Sequence, residues 1–176
     1  DPLLSATREA NLDQLKVRNE DTLRDDFDRQ FKQYREFTDQ IARINEAVND
    51  PSGQGDVALL FNFMKMLDPS SVVRESEYAT AQSVGSWMTK AQALATEVTT
   101  GKKLTYEQRL EFANVANRLY KSISPRMSAL RSQYTAIAKS RSLNPANVVG
   151  ADDGDSDEVM IDIILPDGRI GKVPAS

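Results

Sequence analysis

The side chains in this sequence best suited to chemistry are carboxylates. Asp152, Asp153, Asp155, Asp157 and Glu158 crowd one stretch, and Asp68, Glu75 and Glu77 lie near one another in a second. Calcium is the cation that the first set would suit. An EF-hand loop, however, needs ligands at alternating positions, a central glycine and a terminal glutamate. The charges here lack that spacing and no glycine follows at the required place, so the stretch reads as a solvated linker. Paired carboxylates about 5–10 Å apart can hydrolyse sugars. On a helix, Glu75 and Glu77 point about 200° apart, and nothing in the sequence sets them in a cleft. Helix capping by Asp68, and ion pairing of Glu75 or Glu77 with Arg74 or Lys65, is the better reading.

Other chemistry is excluded by composition. The chain of 176 residues has no histidine and no cysteine. Disulfides, Cys/His metal sites and every serine–histidine or cysteine–histidine mechanism are therefore impossible within it. The commonest general base near neutral pH is also missing. Lack of cysteine suits any redox compartment and so locates nothing. Gly53-Gln54-Gly55 is not a phosphate loop, because no Gly-Lys-Ser/Thr ending follows it and no strand precedes it. A net charge of −4 argues against a general nucleic-acid binder, which would carry a basic face. Lys102, Lys103, Lys121, Arg126, Arg131, Lys139 and Arg141 read as scattered solvent-facing charges in preference to one basic strip. Trp87, beside Met88, reads as a core residue in preference to an interface anchor. No cofactor and no catalytic residue is assigned.

The elements that would position any site are helices. From about Ser5 to Asn49 the apolar residues Leu23, Phe27, Phe31, Tyr34, Phe37, Ile41, Ile44 and Val48 recur at steps of three and four, the spacing of one helix face. No Pro or Gly interrupts Leu3 to Asp50. A helix of about 45 residues would be roughly 65–70 Å long, and its stripe suits a bundle or coiled coil. Before Leu23 the stripe thins to Leu12, Leu15 and Val17, and that stretch is expected to project or fray. Asp50 to Gly55 is a breaker cluster. Asp56 to Leu67 then forms a short helix, apolar nearly all round and expected to be buried. Asp68-Pro69 restarts the chain, and Ser70 to Thr100 reads as further helix, weakened at Gly85 and stopped at Gly101.

A capping box, Thr105 with Gln108, opens a second long helix that runs to about Arg141. Its stripe is Phe112, Val115, Leu119, Ile123, Met127, Leu130, Tyr134 and Ile137. Pro125 lies inside it and is expected to kink or split it. Two stripes that need partners are satisfied most simply by an antiparallel pair with the middle helices alongside. The fold expected is mainly α: a long antiparallel helical bundle, or coiled-coil-like hairpin, with a small C-terminal β-hairpin. Residues 1–149 would form the bundle, 150–158 the acidic linker and 159–176 the hairpin, turning at Pro166-Asp167-Gly168. An isolated hairpin is marginal in water, so it is expected to dock on the bundle, to pair with another chain, or to begin a further domain. Asp1 in place of methionine is what a processed, trimmed or partial chain would show. No apolar run approaches the roughly 20 residues of a transmembrane helix.

One block is distinctive beyond its periodicity. The run Phe61-Asn62-Phe63-Met64-Lys65-Met66-Leu67-Asp68-Pro69-Ser70-Ser71-Val72-Val73-Arg74-Glu75-Ser76-Glu77-Tyr78 resembles a segment of virion proteins of tailed bacteriophages, including large internal or ejected proteins. Such proteins can carry peptidoglycan-cleaving domains elsewhere in the chain. Leu104-Thr105-Tyr106-Glu107-Gln108-Arg109 and Ile137-Ala138 to Leu143-Asn144-Pro145 are similar to the helix that follows in those proteins. Leu165-Pro166-Asp167-Gly168-Arg169-Ile170-Gly171 with Val173-Pro174 is similar to their short β tail. The resemblance covers roughly residues 54–174. It departs at Ser142, where those proteins usually have glycine before the Leu-x-Pro turn. It implies a virion structural or ejection-associated protein, made in the host cytoplasm, a homo-oligomer docking on other virion proteins, with no specific nucleic acid. Physically, the block reads as a structural hinge. Asp68 and Pro69 would set a sharp junction, and Arg74 and Glu75 would fix it by charge pairing. A cellular coiled-coil adaptor explains the helices as well but not the block, and the non-catalytic part of a larger cell-wall hydrolase is a third reading. A complete enzyme ranks last, for want of an acid–base–nucleophile set.

Overall fold

The computed structural model describes residues 2–68, 81–150, 160–164 and 170–174; for 2–4, 6, 81–82 and the two short C-terminal runs this covers the backbone alone. The protein is mainly α-helical. Among the described residues five helices follow one another: α1 (Pro2–Val48), α2 (Gly53–Met66), α3 (Ala81–Thr99), α4 (Tyr106–Ser140) and α5 (Pro145–Val149). Among the described residues, no helix is long and apolar enough to cross a membrane. Two compact units can be distinguished, one drawn from Asp1–Lys32 with Arg126–Ser156 and the other from Gln33–Pro125 with Asp157–Ser176.

In the first unit, the α1 stripe meets the last turns of α4. Leu23, Phe27, Phe31, Met127, Tyr134, Ala138, Leu143 and Val148 are buried. The rings of Phe27 and Phe31 stack at 4.9 Å, and Tyr134 lies 5.3 Å from Phe27. Each such ring, fully buried, contributes about 1.5–3 kcal/mol. The polar tip of Tyr134 is also satisfied. Its hydroxyl donates to Asp26 Oδ2 and accepts from the Gln30 amide, each at 2.5 Å. Burial, and then the Asp26 carboxylate, hold the phenol above its ordinary pKa.

The α4–α5 junction closes this unit. Leu143 N–H donates to Ala138 O at 2.9 Å and Ser142 N–H to Lys139 O at 3.1 Å, the bond pair of a Schellman motif. The motif needs a left-handed residue, and Ser142 supplies it at φ 56° without being glycine. Asn144 then caps α5 through Ala146 N–H. Glu20 of α1 accepts from Asn144 N–H and from the Asn147 amide, both at 2.7 Å. These two bonds hold the Glu20 carboxyl below its ordinary pKa.

In the second unit, α1 and α4 again run antiparallel. Phe37 stacks parallel to Tyr120, and Asn45 and Asn117 exchange side-chain hydrogen bonds at 2.9 and 3.2 Å. Asn117 is buried and its amide also donates to Ala113 O. Between them α2 packs on α3, and Phe63, Trp87 and Phe112 meet edge to face, with centroids 4.8–5.9 Å apart. Trp87, half-buried, thus belongs to the core. Lys90 lies over the Trp87 ring at 4.9 Å and bonds Glu111 at 2.7 Å.

Two local expectations need correction. The short helix α2 is not buried all round. Its inner face is Gly55, Asp56, Leu59, Leu60, Phe63 and Met66, while Val57 and Phe61 are 43 % and 61 % exposed. One packed side suffices to bury a 14-residue helix that leaves its far side to solvent. Of the kink or split expected at Pro125, the split does not occur, since α4 is continuous through it. Proline removes the donor that would serve Lys121 O, and the Ser124 hydroxyl bonds that carbonyl at 3.3 Å instead.

Candidate functional site

The most elaborate polar arrangement joins the two loops that precede α2 and α4. Ser52 caps α2, its hydroxyl accepting from Gly55 N–H. Thr105 and Gln108 form the expected capping box, with reciprocal bonds of 3.2 and 2.9 Å. One turn into each helix lie Asp56 and Arg109, 0 % and 7 % exposed. Asp56 Oδ2 accepts from Leu104 N–H at 2.8 Å. Arg109 donates to Asp50 O at 3.2 Å and to Leu104 O at 3.1 Å. Its Nε stands 3.6 Å from Asp56 Oδ1, close enough for charge attraction but outside hydrogen-bond contact. Gly55 makes the close approach possible. A Cβ there would sit 2.6 Å from Asp50 O. The Asp50 carboxylate accepts from Ser52, which keeps its pKa below the ordinary value.

This arrangement binds the chain to itself. Its donors and acceptors face carbonyls and amides of the same loops. Among the described residues, no group of three or more carboxylates is placed to hold a metal ion.

A cleft of about 190 Å³ opens elsewhere in the second unit, lined by Leu67, Ser83, Val84, Trp87, Val115, Arg118 and Leu119. Among the described residues, Arg118 is the one charged side chain that lines it, so these residues offer apolar contact and a cation.

The residues singled out in the sequence fall as follows. Asp68 is exposed just beyond α2, its N–H bonded to Lys65 O at 3.2 Å. Pro69, Arg74, Glu75 and Glu77 lie outside the described residues, as does the acidic run 151–158. Gly53 and Gly55 belong to the first turn of α2. Of the basic residues, Lys102 pairs with Glu97 at 3.5 Å. Arg131 donates to Val149 O and lies 5.4 Å from the Phe31 ring. Asp56 and Arg109 were not among the expected sites. Asp56 stands directly before the apolar run Val57 to Leu60, and Arg109 lies one helix turn before Phe112 on the buried stripe. A charge at the edge of a core-facing stripe was the signal available.

No family model matches the chain, and neither a curated protein nor a solved structure does.

Proposed function

We propose that this chain is a structural or ejection-associated component of a tailed-bacteriophage virion, made in the host cytoplasm, that works by helical self-association and by docking on other virion proteins. The observation that carries the reading is the block Phe61 to Tyr78 with its phage-virion resemblance. Its first residue is the exposed Phe61, one turn after the exposed Val57 on α2. Two large apolar side chains on one outer helix face suit a contact with another protein. The hinge of Asp68, Pro69, Arg74 and Glu75 belongs to this proposal, as does a β-hairpin tail acting as a docking element. No residue is assigned to catalysis or to a cofactor.

Quantitative mass spectrometry of purified virions, before and after genome release, tests the reading. Copies present before release and lost afterwards mark an ejected protein. Copies retained in the empty particle mark a fixed component. Absence from both rejects the virion assignment. A parent gene outside any phage region then favours the cellular adaptor, and a reading frame continuing into a hydrolase domain favours the cell-wall enzyme.

A further inference from the structure

From Leu23 onward, the α1 stripe in the first unit is covered by α4 and α5. From Thr7 to Asn19 it is not: every one of those residues is exposed, with Leu12, Leu15 and Val17 at 51, 53 and 57 %. The change falls at Glu20, where Asn144 and Asn147 grip the helix. Leu12 lies within about 20° of Leu23 around the helix axis, so the covered stripe continues outward into solvent. Val17 projects from another face, about 140° from Leu12.

We infer that the segment Arg8–Asn19 pairs antiparallel, about a two-fold axis, with the same segment of a second copy of this chain. The charge pattern selects both the partner and the direction. With Leu12 at heptad position a and Leu15 at d, Asn19 is the next a and Arg8 the preceding d. An antiparallel pairing centred between Asp13 and Gln14 sets Leu12 against the second copy's Leu15, twice by symmetry. Arg8 then meets Asn19, and Glu9 flanks Lys16, again twice. A parallel pairing in register would place Arg8 against Arg8 in the seam, and would leave Glu9 and Lys16 without an opposite charge. The helix therefore complements itself in one direction only. Twelve residues give a contact well below the roughly 800 Å² per partner of a stable interface. The dimer is thus an exchanging one whose population follows concentration. The inference names the partner in the self-association proposed above and rests on that reading.

The test uses the full 176-residue chain. Sedimentation is expected to show a dimer that grows with concentration. Leu12→Glu with Leu15→Glu should abolish it while far-ultraviolet circular dichroism stays unchanged, because both positions are exposed. Glu9→Lys should weaken association about three- to tenfold, and adding Lys16→Glu should restore it. The chain has no cysteine, so spin labels can be placed singly. At Gln14→Cys the two labels of a dimer come close together. At Asp25→Cys they stand about 35 Å apart along the axis. Short distances at both sites, a dimer indifferent to the leucine substitutions, or a monomer at every concentration would overturn the inference. Virion proteomics reads the wider proposal independently. A virion component that is strictly monomeric sinks the pairing and the self-association but leaves the assignment to the particle, and a dimer absent from virions sinks only that assignment.

Discussion

Asp56 and Arg109 hold the same position in their two helices, four residues beyond the capping residue, and their side chains meet 3.6 Å apart in the core of the second unit. The carboxylate stands at the positive end of α2, where it is favoured. The guanidinium has no such help from α4 and is held by the carbonyls of Asp50 and Leu104. Each charge is thus acceptable only while the other and its loop are in place.

Removing one partner should therefore cost far more than the pair is worth. Asp56→Ala or Arg109→Ala is expected to destabilise by about 3–5 kcal/mol, since each strands a buried charge. Asp56→Ala with Arg109→Ala in one chain should cost clearly less than the two single losses combined. Urea denaturation of the four species measures the cycle.

Gly55 and Gly53 should answer oppositely to alanine. At Gly55 the new methyl meets the Asp50 backbone at 2.6 Å, which cannot yield without opening the loop that Arg109 holds. A loss of about 1–3 kcal/mol is expected. At Gly53 nothing lies within 4 Å, and alanine should stabilise by about 0.4–1 kcal/mol through the unfolded chain. Equal effects at both sites would contradict the account of the loop.

Ser142 and Gly101 form a second contrasting pair. Gly101 at φ 99° ends α3 with the same two bonds, Lys102 to Glu97 O and Gly101 to Val98 O, that Ser142 makes possible for α4. A side chain in the left-handed region costs about 1–2 kcal/mol. Ser142→Gly should therefore raise stability by about 1 kcal/mol, and Gly101→Ala should lower it by a similar amount. Thermal unfolding of both variants decides it.

Acid should loosen the first unit through Glu20. Its folded pKa is lowered from 4.5 by the Asn144 and Asn147 bonds. The stabilisation is therefore present above that unfolded value and lost as pH falls through the lower folded one. Glu20→Gln should flatten this part of the pH profile. The Asn144 amide proton, followed by NMR between pH 7 and pH 3, should shift with a midpoint below 4.5 in the parent chain only.

Much of the helical framework was legible in the sequence, because its signals are local. Steps of three and four picked out Leu23, Phe27, Phe31, Tyr34, Phe37, Ile41, Ile44 and Val48, all buried except the half-buried Tyr34, and Thr105 with Gln108 announced the start of α4. Composition could not say which side of α2 faces solvent. Apolar residues surround that helix, and only packing decides that Leu59 is buried while Phe61 is not. Nor could it show the tie between Asp56 and Arg109, since a charge on an apolar stripe names no partner until the loops close. The positive φ of Ser142 was hidden for a related reason. Glycine advertises a left-handed helix end, whereas serine does not, and Ser142 takes one where Leu143 and Val148 are buried beyond it.

Asn45 and Asn117 carry a last consequence, one of alignment. Apolar stripes are nearly uniform along their length, so α4 sliding past α1 by one turn, about 5.4 Å, would still set greasy surface against greasy surface. It would not set amide against amide. The two side chains satisfy each other in one position of the slide, and every other position strands a polar group away from water. The pair therefore acts as a ratchet tooth: it makes the alignment of α1 and α4 within the second unit discrete, and it does so with residues that a count of hydrophobic contacts would rank as faults.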